Sequence, residues 1–229
     1  MGKSSPFFHP VGLGILAPPV KNLTMQITPT KIPEVWVIEP RVFQDERGFF
    51  LESFNQRAFD QAIGRHYSFV QDNHSSSSGN ILRGLHYQVK AVQGKLVRAV
   101  IGSIYDVAVD MRKGSPTFGK SVGKILSAEN KKQLWIPPGF AHGFYVLSET
   151  ADVLYKATNF YSPEHERSLA WNDPDLNIQW PTAGKLPVLS TKDAAGSSLK
   201  TADVIEYTDC EDDPIDSQSV GQSQERVAL

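Results

Sequence analysis

The stretch from Ile81 to Lys95, ILRGLHYQVKAVQGK, places one imidazole, His86, between two fixed cations, Arg83 and Lys95. In a β-strand followed by a turn, that combination suits a general base working beside an anionic substrate. Strand side chains alternate faces, so Gly84, His86 and Gln88 are expected on one side and Arg83, Leu85, Tyr87 and Val89 on the other. The alternative for a lone histidine in a strand is a half-buried ring satisfied by a backbone carbonyl. The rest of the chain decides between the two.

The elements around this stretch read as short strands. VWVIEPRVF alternates loosely, Asp45-Glu46-Arg47-Gly48 makes a turn, and FFLESF reads as a strand with Phe50, Glu52 and Phe54 on one face. A short helix follows, with Asn55 as N-cap, Phe59 and Ile63 one turn apart and Gly64 as the stop. Ser68 to Asn73 is a strand candidate and Ser75 to Gly79 a polar loop. Leu96 to Ile101, a Gly102-Ser103 turn and Ile104 to Met111 form a hairpin pattern, in which Asp106 and Asp110 face away from Tyr105, Val107, Val109 and Met111. Further strands are expected at 119–127, 132–136, 142–148 and 152–159. Turns at this spacing predict an all-β sandwich or barrel with a few short peripheral helices.

Length allows one all-β domain with tails, or at a stretch two small domains. We expect a flexible extension over 1–24, a folded domain over 25–200 and an acidic, disordered tail over 201–229, with Met25 as a candidate functional start. The net charge of -2 gives no reason to propose nucleic acid or an anionic membrane as partner, so anion recognition must be local. A single cysteine, Cys210, rules out an intrachain disulfide and a cysteine zinc cage, and it fits a reducing compartment such as the cytoplasm. The apolar run from Val11 to Val20 falls far short of the ~20 residues that span a bilayer and lacks the flanks of a secretory signal. Gly12, Gly14 and Ala17 imitate a dinucleotide-binding fingerprint, but no strand precedes them and Pro18-Pro19 interrupt the helix that should follow. Met1-Gly2 imitates a myristoylation start, but Pro6 stands where Ser or Thr is needed.

The segments PRVFQDERGFFLESFN, FVQDNHS, LRGLHYQ, QGKLVRAV, DVAVD, SPTFG, LSAENKKQLWIPPGFAHGF, YKATNFYSP, WNDP and LSTKDA, in this order over roughly residues 34–195, resemble the dTDP-4-dehydrorhamnose 3,5-epimerase family. The resemblance implies a cupin-type jelly roll and a dTDP-keto-sugar substrate of deoxysugar (rhamnose) and lipopolysaccharide biosynthesis. It also implies a homodimer whose site is completed by the neighbouring subunit around Arg47 and Glu52, and no cofactor. By the same resemblance His86 is the base, Asp193 its orienting carboxylate, Tyr155 the acid on the opposite face and Lys95 the cation for the enolate. Arg47, Arg83 and Lys192 are then the diphosphate cations, with Glu52, Gln71, Asn73, Tyr161 and Glu166 as polar contacts and His142 in a supporting role beside Asp106. A free imidazole near pKa ~6.5 suits base work at neutral pH.

Cupins commonly hold a metal, and here the pattern departs. Pro137 to His142 keep the second signature, but Gln88 stands where the first would supply another ligand, and an amide replaces imidazole poorly on a transition metal. A metal-free pocket is expected. The competing readings are a single-carbon epimerase or ketoisomerase of the same sugar class, a metal cupin oxygenase disfavoured by Gln88, and a non-catalytic sugar-binding barrel.

Overall fold

The computed structural model describes residues 25–207, so the expectations for 1–24, for Cys210 and for the tail from 208 onward lie outside the described residues. The first part of the chain forms β1 (Met25–Pro29), β2 (Trp36–Pro40), β3 (Val42–Asp45), β4 (Gly48–Leu51), helix α1 (Gln56–Ile63) and β5 (Gln71–Ser78). The middle forms β6 (Leu82–Gln88), β7 (Lys95–Ile101), β8 (Ser103–Asp110), β9 (Arg112–Lys113), β10 (Ser121–Ser127), β11 (Gln133–Ile136), β12 (Phe140–Val146) and β13 (Thr150–Ala157). The last part forms β14 (Glu166–Ser168), α2 (Thr191–Ala194) and β15 (Ile205–Glu206).

Two open antiparallel sheets face each other, one ordered β1-β2-β11-β7-β13-β5 and the other β10-β8-β12-β6-β14. This is the sandwich that the turn spacing predicts, in the cupin-type jelly-roll form that the resemblance implies. Between the sheets lies an apolar layer in which Val97, Leu134 and Val153 of the first sheet meet Ile104, Phe140, Phe144 and Val146 of the second. Each outer face is also covered. The C-terminal segment lays Leu169, Leu176 and Ile205 over Leu85, Tyr87, Val107 and Val109, whereas α1 sets Phe59 against Trp135 and Leu96 on the other side. Strands apolar on both faces, such as β12 with every residue buried, follow from this double covering.

Helix α1 forms as its sequence directs. The Asn55 side chain accepts from the Ala58 N–H at 3.1 Å, and Gly64 ends the helix at φ 77°. Phe59, fully buried, anchors it by ~2–3 kcal/mol of transfer free energy.

Four local expectations need correction. Segments 95–101 and 103–110 do not pair as a hairpin: β7 belongs to one sheet and β8 to the other, so Gly102, at φ 66°, carries the chain across the sandwich. The serine run 75–78 is not a loop but the second half of edge strand β5, paired with β13 from Ser78↔Thr150 to Gln71↔Ala157. FFLESF stops being a strand after Leu51, because β3 and β4 form a separate two-stranded hairpin of four residues each. Finally, packing continues past residue 200. Ile205 is buried, and β15 runs parallel to β9.

Candidate active site

Strands of both sheets line a cavity of about 490 Å3, whose lining includes Ser75, Arg83, His86, Lys95, His142, Phe144, Tyr155, Lys192 and Asp193. His86 comes from β6 in the second sheet and Tyr155 from β13 in the first, so imidazole and phenol approach the space from facing walls.

Arg83 lines the same cavity as His86, against the alternation expected from sequence. The register explains it: His86 pairs with His142 and Arg83 with Phe144, so β6 spends three steps where β12 spends two. The extra residue is a bulge, and it turns Arg83 onto the cavity face. Gly84 sits in it at φ 114°, and a Cβ there would lie 2.6 Å from the Gly143 Cα and 2.7 Å from the His142 carbonyl oxygen. Only glycine fits. Arg83 is then held by Ser77 Oγ at 2.8 Å.

His86 Nε2 lies 2.5 Å from Asp193 Oδ1, a contact that closes 107 residues of chain. Asp193 is the third residue after Ser190, the N-cap of α2. Its N–H donates to Ser190 Oγ at 3.1 Å, and that hydroxyl donates back to Asp193 Oδ2 at 2.8 Å. Burial pushes the Asp193 carboxyl up, but hydrogen bonds from His86, Ser190 and the Gly84 N–H outweigh it and hold the group below its ordinary value. An ionised Asp193 accepts, so Nε2 carries hydrogen and Nδ1 keeps the lone pair that can take a proton.

The other groups have distinct environments. Burial raises the Tyr155 phenol, with Glu166 adding to the effect, so it holds its proton at neutral pH. Lys95 is 7% exposed, and burial lowers its ammonium to about 8. Its hydrogen bond goes to the His86 carbonyl at 3.4 Å, and its Nζ lies 6.0 Å from the Tyr155 ring centroid. His142 Nε2 meets Asp106 Oδ1 at 2.8 Å, and burial pushes the imidazole below its ordinary value in spite of Asp106. Lys192 Nζ reaches Glu166 Oε2 at 2.5 Å, and the Tyr161 hydroxyl donates to the same oxygen at 2.7 Å.

Other sequence-predicted residues lie apart. Gln71 accepts from the Tyr161 N–H at 2.9 Å and donates to Asn73 at 3.0 Å, and Asn73 lines an adjoining cavity of about 180 Å3 that shares Tyr155. Arg47 sits at the tip of the β3–β4 hairpin, 85% exposed and paired with Asp45, and Glu52 accepts from Asn55 just beyond it. Neither lines the His86 cavity. Sequence reasoning missed Ser75, whose buried hydroxyl has no partner among the described residues, and Ser77, Ser190 and the apolar wall of Ile81, Phe144 and Val188. The spacing of Ser190 to Asp193 is a capping-box signal that was available.

A metal does not fit. The Gln88 amide donates to the Ala91 carbonyl at 2.6 Å and accepts from the Ser162 N–H at 2.9 Å, so it is committed to pinning loops. Nε2 of both cavity histidines is engaged by a carboxylate, and no group of three His, Cys, Asp or Glu among the described residues is placed to hold an ion.

Fold and cavity together define a jelly roll of the cupin type whose cavity sets an imidazole and a phenol on facing walls. Comparison with known proteins gives the family. Residues 29–201 match the family described as dTDP-4-dehydrorhamnose 3,5-epimerase, and the chain belongs to it. The dTDP-4-dehydrorhamnose 3,5-epimerase of Pseudomonas aeruginosa is 61% identical over 179 residues, covering 78% of this chain and 98% of the relative. That of Salmonella typhimurium is 60% identical over 179 residues, covering 78% and 97%. Among solved structures, dTDP-6-deoxy-D-glucose-3,5-epimerase of Legionella pneumophila, in complex with dTDP-4-keto-L-rhamnose, superposes with a TM-score of 0.78 at 53% identity, covering 80% of this chain and 98% of that one.

Proposed function

We propose that the chain inverts C3 and C5 of dTDP-4-keto-6-deoxyglucose in rhamnose biosynthesis, with His86 as base and Tyr155 as acid. The observation that carries the assignment of roles is the facing pair itself: an imidazole oriented by Asp193 on one wall and a protonated phenol on the other. His86 Nδ1 removes the carbon-bound proton next to the ketone. The electrons move onto the C4 oxygen, where protonated Lys95 stabilises the enolate. Tyr155 returns a proton to the opposite face, and solvent exchange resets both groups.

Arg83 and Lys192 are the cations of this subunit for the diphosphate. Arg47 would come from a second copy. Supporting this, the β3–β4 hairpin holds Arg47 away from its own cavity and exposes Phe43 (50%), Phe49 (57%) and Phe50 (70%), an apolar surface that a neighbouring subunit would cover.

Turnover in heavy water tests the reading. Deuterium should enter at both C3 and C5. Label at one carbon only supports a single-carbon epimerase, and no label returns the chain to a binding role.

A further inference from the structure

Among the lysines that line or border the cavity, Lys95 stands alone in having no carboxylate. Lys192 is paired with Glu166 at 2.5 Å and Lys156 with Asp72 at 2.9 Å, whereas Lys95 Nζ makes one long hydrogen bond to a backbone carbonyl. An amine so placed is desolvated and reachable from a cavity of about 490 Å3, a volume in the range of small-ligand sites. The lining of that cavity includes the guanidinium of Arg83 and the ammonium of Lys192, two cations that suit an anion.

We propose that Lys95 is a carbonyl-reactive amine, and that the cavity is a covalent site for small anionic aldehydes and ketones, drawn in by Arg83 and Lys192 and captured at Nζ as an imine. The neutral amine adds to the carbonyl carbon, the carbinolamine loses water, and the C=N bond replaces the C=O bond. No oxidant or further reactant is required.

Burial favours this by enlarging the neutral fraction. With its ammonium lowered to about 8, roughly one Lys95 in ten is unprotonated at pH 7, several-hundred-fold more than for an ordinary lysine. The charged groups facing it act in both directions. Glu166 and Asp106 favour the ammonium, Lys192 opposes it, and the neighbouring His86, His142 and Tyr155 complete the surroundings. The inference does not depend on the epimerase reading, because it needs only the cavity, its cations and the isolated amine.

The test uses the full chain and pyridoxal 5′-phosphate, trapped with borohydride and mapped by peptide mass spectrometry. The expected result is one dominant adduct, on Lys95, with a labelling rate that rises with a midpoint near pH 8. Pyridoxal without its phosphate should label at least ten-fold more slowly. Lys95→Arg should reduce total incorporation from about one per chain to near zero, while labelling of the unmutated chain needs no assumption about how a variant folds. Adducts on Lys192 or exposed lysines with Lys95 unmodified would overturn the proposal, as would a midpoint near 10 or indifference to the phosphate. A chain that exchanges deuterium normally yet fails these criteria sinks this inference and leaves the epimerase reading intact.

Discussion

At the scale of the residue, the proposed mechanism rests on His86, Tyr155 and Lys95, and each makes its own prediction. His86→Ala should abolish deuterium exchange, a loss of about 10^2–10^4-fold in kcat for removing a general base. Tyr155→Phe should still exchange the abstracted proton while forming little inverted product, and full turnover by that variant would refute its role as acid. Lys95 gives a pH dependence whose sign differs for activity and stability. Activity needs the ammonium, so kcat/KM should fall as pH rises through about 8. Stability moves the other way. The folded pKa is depressed, so between about 8 and the unfolded 10.5 the unfolded chain binds the extra proton and stability rises with pH, by about 3 kcal/mol across that window. Denaturant midpoints at pH 7.5 and 10 for the wild type and Lys95→Met report this difference, which the variant should lack. The identity of His86 as a candidate was readable from its own stretch. Its partner Asp193 came only through the family resemblance, because 107 residues of chain separate the two and no periodicity spans such a distance.

At the scale of the element, the site depends on two local devices. One is the β6 bulge that brings Arg83 beside His86. Strict two-residue alternation assigns Arg83 to the wrong face, because pattern reading assumes an unbroken ladder and cannot see an added residue. Gly84→Ala, forced into φ 114° and against the backbone of β12, should lower stability by ~2 kcal/mol or more and raise the KM for substrate as Arg83 shifts. Thermal denaturation with steady-state kinetics checks both. The other device is the capping box of α2. Ser190→Ala removes the cap and one hydrogen bond to Asp193, at a cost of about 1 kcal/mol, and should lower kcat more than it raises KM. Helix α1, whose cap, apolar pair and stop are all local, was by contrast fully legible.

At the scale of the whole molecule, the sheet order could not be read from strand spacing. Successive segments such as β7 and β8 look like a hairpin, yet they separate into facing sheets, and it is that separation which opens a space for His86 and Tyr155 to confront each other. The motifs of the family supplied this topology. Composition supplied only the class. Removing the β3–β4 hairpin tip should, on the proposed dimer, weaken self-association in sedimentation and raise KM while leaving the monomer folded. A chain beginning at Met25 should keep its fold and turnover. The Asp193–His86 contact has one more consequence. A nascent or proteolytically shortened chain ending before α2 would possess every strand of the two main sheets and still lack the carboxylate that holds the proposed base, so turnover should report that the C-terminal strap has docked, and a cut in the 183–189 connection should silence the enzyme before the β-sheets melt.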